Sequence, residues 1–271
     1  MNLTLKRDQI WVLIAKDFKL KYNSTALGFL WSLLVPMFTS IVYYFVFGVM
    51  MRWDAKNYLL YLMSGTFLWQ FFANVILMNG NVLNANSGLL KKTSFDRAFL
   101  VRGTFYTESI HFLLTMPVLL GMMAFYRVMP HWSALPNLVV CMAALMLLSM
   151  GVSYAYAALN LFFRDLERIM GILMMMWMFC SPVFISVSVV PPELRWLYNL
   201  NPMAVILQCW RDAFWAPCFL GAELPSEHMY AGLTHAWHPI SYIPILVVSF
   251  ATYFGGRWIF RKMEPAFAEM M

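Results

Sequence analysis

The sequence predicts an all-α membrane protein. It has six transmembrane helices, an N-terminal amphipathic interfacial helix, and a re-entrant outer-side helical pair between spans five and six. Both termini are expected in the cytoplasm. Three observations carry this. Of 271 residues, 62% are hydrophobic and 12% charged, against about 45–50% and about 25% in soluble domains. Too few charges remain to build a water-facing surface. Apolar runs of the ~20 residues a crossing requires recur along the chain. Lys and Arg gather in alternate connections, as they do in cytoplasmic loops. Together these exclude a water-soluble globular enzyme, a disordered chain and a disulfide scaffold, and they make residues 1–271 a single membrane domain.

Residues 5–22, LKRDQIWVLIAKDFKLKY, are too charged to cross. At helical spacing Ile10, Trp11, Leu13, Ile14 and Phe18 share one arc, with Asp8, Lys16 and Lys19 opposite. Such a helix lies in the interface while its long cations snorkel outward. The seven charges before Tyr22 also argue against a cleavable leader. Residues 22–51 carry no charge, and the first span is expected at 28–51. After the hydrophilic break 52–57 the second is expected at 58–78, and the third to sixth at 105–126, 136–161, 169–187 and 240–260. As helices they satisfy their own backbone, which hydrocarbon demands. Residues 188–220 differ, because only 15 uncharged residues separate Arg195 from Arg211. That is short for a crossing. Pro191, Pro192, Pro202 and Pro217 divide the stretch into short helices, so it is expected to re-enter from the outer side.

Orientation follows from the cations. Fourteen of the 19 Lys and Arg fall on one side: residues 6–21, then Lys91, Lys92, Arg97 and Arg102, then Arg164 and Arg168, then Arg257, Arg261 and Lys262. That side is the cytoplasm. The net charge of +6 is explained by this asymmetry and by anionic headgroups. No nucleic-acid-binding signature accompanies it, and no nucleic-acid partner is expected.

Catalytic motifs are missing. The sequence holds no GxxxxGK[ST], HExxH or GxSxG, and no metal site is expected. His235 and His238 make only a weak HxxH pair. Inside span three His111 has Glu108 one turn away as its expected partner. The spans lack a ladder of buried charges, which argues against ion-coupled transport and for energy delivered from elsewhere. Cys209 and Cys218 share the outer segment without a spacing that argues for a disulfide.

Aromatic residues are the informative excess, at 17% of the chain. Taken singly, each reads as interfacial belt or packing. Tyr43 and Phe47, however, lie one turn apart on one face. Such a stripe offers flat apolar surface and phenol hydroxyls together, which suits sugars. The connections NGNVLNANSGLLKKTSFDRAFLVRG and NLFFRDLERI combine charge with apolar flanks. They read equally as docking surfaces or as solvated turns.

YNSTALGFLWSLLVPM (22–37), LLKKTSFDR (89–97), NLFFRDLERI (160–169) and YNLNPMAVILQCWRDAF (198–214) resemble, in order and spacing, the ABC-2 type permeases of the polysaccharide exporter branch. These are the transmembrane subunits of O-antigen, capsule and teichoic acid transporters. The resemblance implies a multi-pass permease of the bacterial inner membrane, not itself an enzyme. It implies a homodimer with two copies of a separate ATPase, so this chain holds no cofactor while ATP and Mg belong to the partner subunit. The implied cargo is a polysaccharide on a polyprenyl pyrophosphate carrier. By the same resemblance Leu89, Lys91, Lys92, Asp96, Arg97, Arg164 and Asp165 are candidates for ATPase coupling. Tyr43, Tyr44, Phe47, Trp177 and Phe184 are candidates for the channel lining. Lys16, Lys19 and Lys21 are candidates for the pyrophosphate and Lys91 or Lys92 are alternatives, with plain headgroup contact as the other reading. A drug or small-lipid permease, or an intramembrane acyltransferase, stands as the alternative function.

Overall fold

The computed structural model describes residues 30–52, 56–90, 96–130, 134–185, 191–194, 196, 200–215 and 243–268. The interfacial helix expected over 5–22, with Lys16, Lys19 and Lys21, lies outside these residues. So do Lys91, Lys92, Arg195, Cys218, His235 and His238.

Among the described residues five helical stretches are long and apolar enough to cross a membrane: Leu30–Met50, Tyr58–Gly80, Ala98–Phe125, Leu135–Phe162 and Ile243–Phe267. The first is α1 (Leu30–Tyr43), which runs on into a π-helical stretch, Tyr44–Met50. Next is α2 (Tyr58–Gly80), followed by two single turns, α3 (Val82–Ala85) and α4 (Ser87–Leu90). Then come α5 (Ala98–Phe125) and α6 (Leu135–Phe162). The last is α9 (Ile243–Met263), ending in the 3₁₀ turn Glu264–Ala268. Between them lie α7 (Leu166–Phe179) and α8 (Pro202–Phe214).

α2 is apolar on every face, and a helix of that kind belongs in the interior. It is buried along most of its length, with α1, α5, α6, α7 and α8 around it. Polar side chains tie these helices together, as buried hydroxyls and amides do where no water competes. The hydroxyls of Ser40 on α1 and Thr66 on α2 share a hydrogen bond of 2.7 Å. Asn160 on α6 donates to the Gly80 carbonyl at 2.9 Å. Gly80 leaves room for the Tyr156 ring, which a Cβ there would strike.

α9 packs chiefly on α6, and the two backbones meet where side chains are small. A Cβ on Gly151 would come within 2.5 Å of the Thr252 carbonyl, and one on Gly256 would collide with the Gly151 carbonyl. Close approach of this kind requires glycine on both helices.

α5 ends in a paired-bond stop at Arg127, whose φ is 57°. Arg127 N–H reaches Ala124 O at 3.0 Å, and Val128 N–H reaches Met123 O at 2.9 Å. This is the Schellman pattern with arginine at the left-handed position usually held by glycine.

The helix over the fifth expected span differs from the reading of 169–187. α7 starts earlier, at Leu166, and stops at Phe179. Its 14 residues reach about 21 Å at 1.5 Å per residue, short of the ~30 Å hydrocarbon core. Turns follow to Ile185. Pro182 lacks an N–H, the Ser181 carbonyl accepts from Val183 N–H at 2.7 Å within the turn, and the carbonyls of Cys180, Pro182, Val183 and Phe184 are taken by side chains described below.

Candidate functional site

The site grows from Asn201 and Pro202. Proline suits the first helical position because its missing N–H would be unpaired there anyway. Asn201 caps the helix, its Oδ1 accepting from Met203 N–H at 3.0 Å. The same oxygen accepts from Trp177 Nε1 at 2.9 Å. Its Nδ2 donates to Cys180 O and Ser181 Oγ, each at 3.0 Å. One side chain thus starts α8 and pins the end of α7.

Arg211, nearly three turns further along α8, completes the clamp. Its guanidinium is buried and donates to Pro182 O, and to Val183 O at 2.7 Å. It lies 3.5 Å above the Tyr61 ring, a cation–π contact strengthened by exclusion of water. Gly65 makes the space: a Cβ there would overlap Arg211 Nη2. From α2, Tyr61 Oη donates to Pro182 O at 3.2 Å and Tyr58 Oη to Phe184 O at 2.9 Å. Trp215 closes the end of α8, its ring edge-on to Tyr61 at 4.8 Å and its Nε1 donating to Lys56 O at 3.1 Å. Next to Arg211, burial pushes the Asp212 carboxyl up to about 7. Its Oδ1 has no hydrogen-bond partner among the described residues.

The clamped turn delivers the Phe184 ring to α1. Tyr43 meets it edge-on at 4.6 Å and Phe47 stacks on it at 5.1 Å. Phe179 adds a fourth ring at 5.3 Å from Phe184. Phe184 is only 4% exposed, beneath the half-buried Tyr43 and Phe47. Tyr44 stands apart, exposed, with Tyr58 at 6.2 Å. Trp177 belongs to a neighbouring group, edge-on to Phe72 at 5.2 Å and to Trp69 at 6.3 Å. Three of the five expected lining residues therefore form one cluster and two lie beside it.

The candidate coupling residues gather at the other helix ends. Asp96 Oδ1 accepts from Ala98 N–H at 3.0 Å at the start of α5, and Oδ2 pairs with Arg102 at 3.2 Å. Arg97 Nη1 donates to Glu264 O at 2.8 Å, tying the start of α5 to the turn after α9. Phe162 and Phe267, 6.1 Å apart, bring the end of α6 to the same turn. Arg164 and Asp165 are exposed just beyond, between α6 and α7. Leu89 lies on α4. Within α5, His111 Nδ1 sits 3.4 Å from Glu108 Oε2, as their spacing predicts.

Reading by sequence missed Arg211 and Asn201 as site residues. An arginine in an apolar stretch, and an Asn-Pro pair opening a helix, were the available signals.

The ABC-2 type transporter family model matches residues 8–215, which include the clamp, the ring cluster and the start of α5, and end before α9. The chain belongs to this family. Over 270 residues it is 31% identical to an O-antigen export system permease protein RfbA of Klebsiella pneumoniae, covering 100% of this chain and 97% of the relative. A Myxococcus xanthus protein of the same name is 28% identical over 75% of this chain and 78% of its own length. The polysialic acid transport protein KpsM of Escherichia coli is 22% identical over 74% and 79%. For an ABC-2 family member, the clamp and the ring cluster mark where α1, α2, α7 and α8 meet, and the Arg97–Glu264 tie marks the basic end of the bundle.

Proposed function

We propose that this chain is the channel-forming subunit of an ATP-driven exporter. It works as a homodimer with two copies of a separate ATPase and carries a polyprenyl-pyrophosphate-linked polysaccharide, of O-antigen type, out of the cytoplasm. The observation that carries the reading is the ring cluster of Tyr43, Phe47 and Phe184 on a clamped turn. Full-length similarity to proteins named O-antigen export permeases supports it.

The physics favours such a wall. A glycan is dense in hydroxyls, and each one left unpaired in hydrocarbon costs several kcal/mol. A protein-lined passage removes that cost. Its wall must hold the chain weakly and at many points, or transport stalls. Aromatic faces bind sugar rings in this way without demanding one sequence of sugars. The dimer forms the passage from the first span and the α7 region of each copy. Energy enters at the basic end, where the stretch 89–97 and the α6–α7 turn contact the ATPase.

The test is co-purification of the tagged permease with candidate ABC ATPase subunits, followed by reconstitution with lipid-linked glycan. Equal stoichiometry and ATP-dependent glycan translocation are expected. A stable ATPase complex that moves small lipids or drugs and leaves glycan behind would overturn the substrate assignment.

A further inference from the structure

A cavity of about 300 Å³ lies between the ends of α5, α6 and α9, away from the ring cluster. Arg102, Arg257 and Arg261 line it together with the buried Tyr154, against the carboxylates of Asp96 and Glu264. Asp96 is engaged by Arg102 and by the α5 backbone. Arg257 is steadied from its own helix, its Nη1 donating to Tyr253 Oη at 3.1 Å. Arg261, one turn on, is exposed. Guanidinium groups converging on a cavity of this size match the oxygens of a phosphate.

The outer face of α9 says what kind of phosphate. Val247, Phe250, Phe254 and Trp258 are all exposed and follow one another at helical spacing toward the cavity. Phe250 and Phe254 stack with an interplanar angle of 16°. At the top Lys262 Nζ sits 5.0 Å over the Trp258 ring, an aromatic–cation pair typical of headgroup depth. An apolar stripe that ends in a basic cavity fits an amphiphile: acyl or isoprenyl chain below, anionic head above.

We propose that this cavity binds the phosphate of an anionic lipid headgroup, its hydrocarbon chain lying along the α9 stripe. The inference is independent of the exporter reading, since a permease of any cargo keeps the site.

Native mass spectrometry of the purified full-length protein tests it with four probes: phosphatidylglycerol, farnesyl diphosphate, phosphatidylcholine and inorganic pyrophosphate. Tight binding of phosphatidylglycerol assigns a bilayer lipid, and tighter binding of farnesyl diphosphate assigns an isoprenoid carrier. In either case Arg257→Gln with Arg261→Gln weakens binding about thirtyfold, while phosphatidylcholine is unaffected. The exposed Arg261→Gln alone loses about fivefold and serves if the pair does not fold. Affinity for both anionic lipids unchanged by these substitutions overturns the proposal. So does inorganic pyrophosphate binding as tightly as either lipid, because the stripe would then contribute nothing.

Discussion

Arg211 does the work of several hydrogen-bond donors at once. The turn 180–184 aims the carbonyls of Pro182 and Val183 where no helical N–H donates to them, and a buried carbonyl without a donor costs about 1–3 kcal/mol. One guanidinium meets Pro182 O and Val183 O while resting on Tyr61. Arg211→Met keeps much of the volume and removes the donors, so it is expected to destabilise by about 3 kcal/mol or more. Thermal unfolding in detergent measures this. Arg211→Lys is not a rescue, because a single ammonium does not reproduce the planar fork. Gly65→Ala is expected to copy the defect from the other side, its methyl occupying the guanidinium's place. Wild-type stability of Gly65→Ala would contradict the clamp. Asn201→Ala is milder, at about 1 kcal/mol for the cap, with a further loss from Cys180 O and Trp177 Nε1 left without their partner. None of this was readable as chemistry. Arg211 looks like one more outer-side cation until α2 and the turn are known to close around it.

At the scale of elements, the apolar runs and their charged breaks placed α1, α2, α5, α6 and α9 to within a few residues at most ends. Hydropathy suffices where one helix satisfies its own backbone and crosses alone. It extends the fifth run to 187, because residues 180–187 are as apolar as a span. What ends α7 at Phe179 is long-range: hydrogen bonds from α2 and α8, some 120 residues upstream in one case. The start of α5 also lies seven residues before the expected span, since Ala98–Val101 precede Arg102 and the charge hid the helix. The π-helical stretch Tyr44–Met50 left no sequence signal beyond its aromatic content. The α6–α9 crossing was likewise invisible, because glycines at 151 and 256 acquire meaning only when the two backbones meet. Gly256→Val is expected to force these helices apart and to cost about 3 kcal/mol or more, as overpacking against backbone does. Gly255→Ala, where nothing stands within 4 Å, is expected to be neutral. Size-exclusion profiles and melting curves of the two variants separate the cases.

For the whole molecule, the two candidate regions lie at different places in one bundle. The ring cluster sits where α1 meets the clamped turn, and the start of α5 and the ends of α6 and α9 converge on Glu264–Ala268. The resemblance in the sequence named residues of both regions. It did not reveal that Phe184 is held by Tyr58, or that Arg97 ties α5 to the turn after α9. This tie gives the coupling proposal a mechanical form: force at the stretch 89–97 reaches α9 through Arg97. Asp96→Ala with Arg97→Ala is expected to leave the complex assembled and hydrolysing ATP while export falls at least tenfold, about 1.4 kcal/mol of lost coupling. Export at the parental rate would remove these residues from the coupling path.

The most direct test of the channel is capture of its cargo. A photo-reactive phenylalanine analogue at Phe47, in the reconstituted complex with ATP and lipid-linked glycan, is predicted to become covalently attached to the polymer. The same analogue at Leu113, on the exposed face of α5, is predicted to stay free of it. An actively exporting complex that never labels from position 47, or labels equally from 113, would contradict an aromatic-walled passage at the first span.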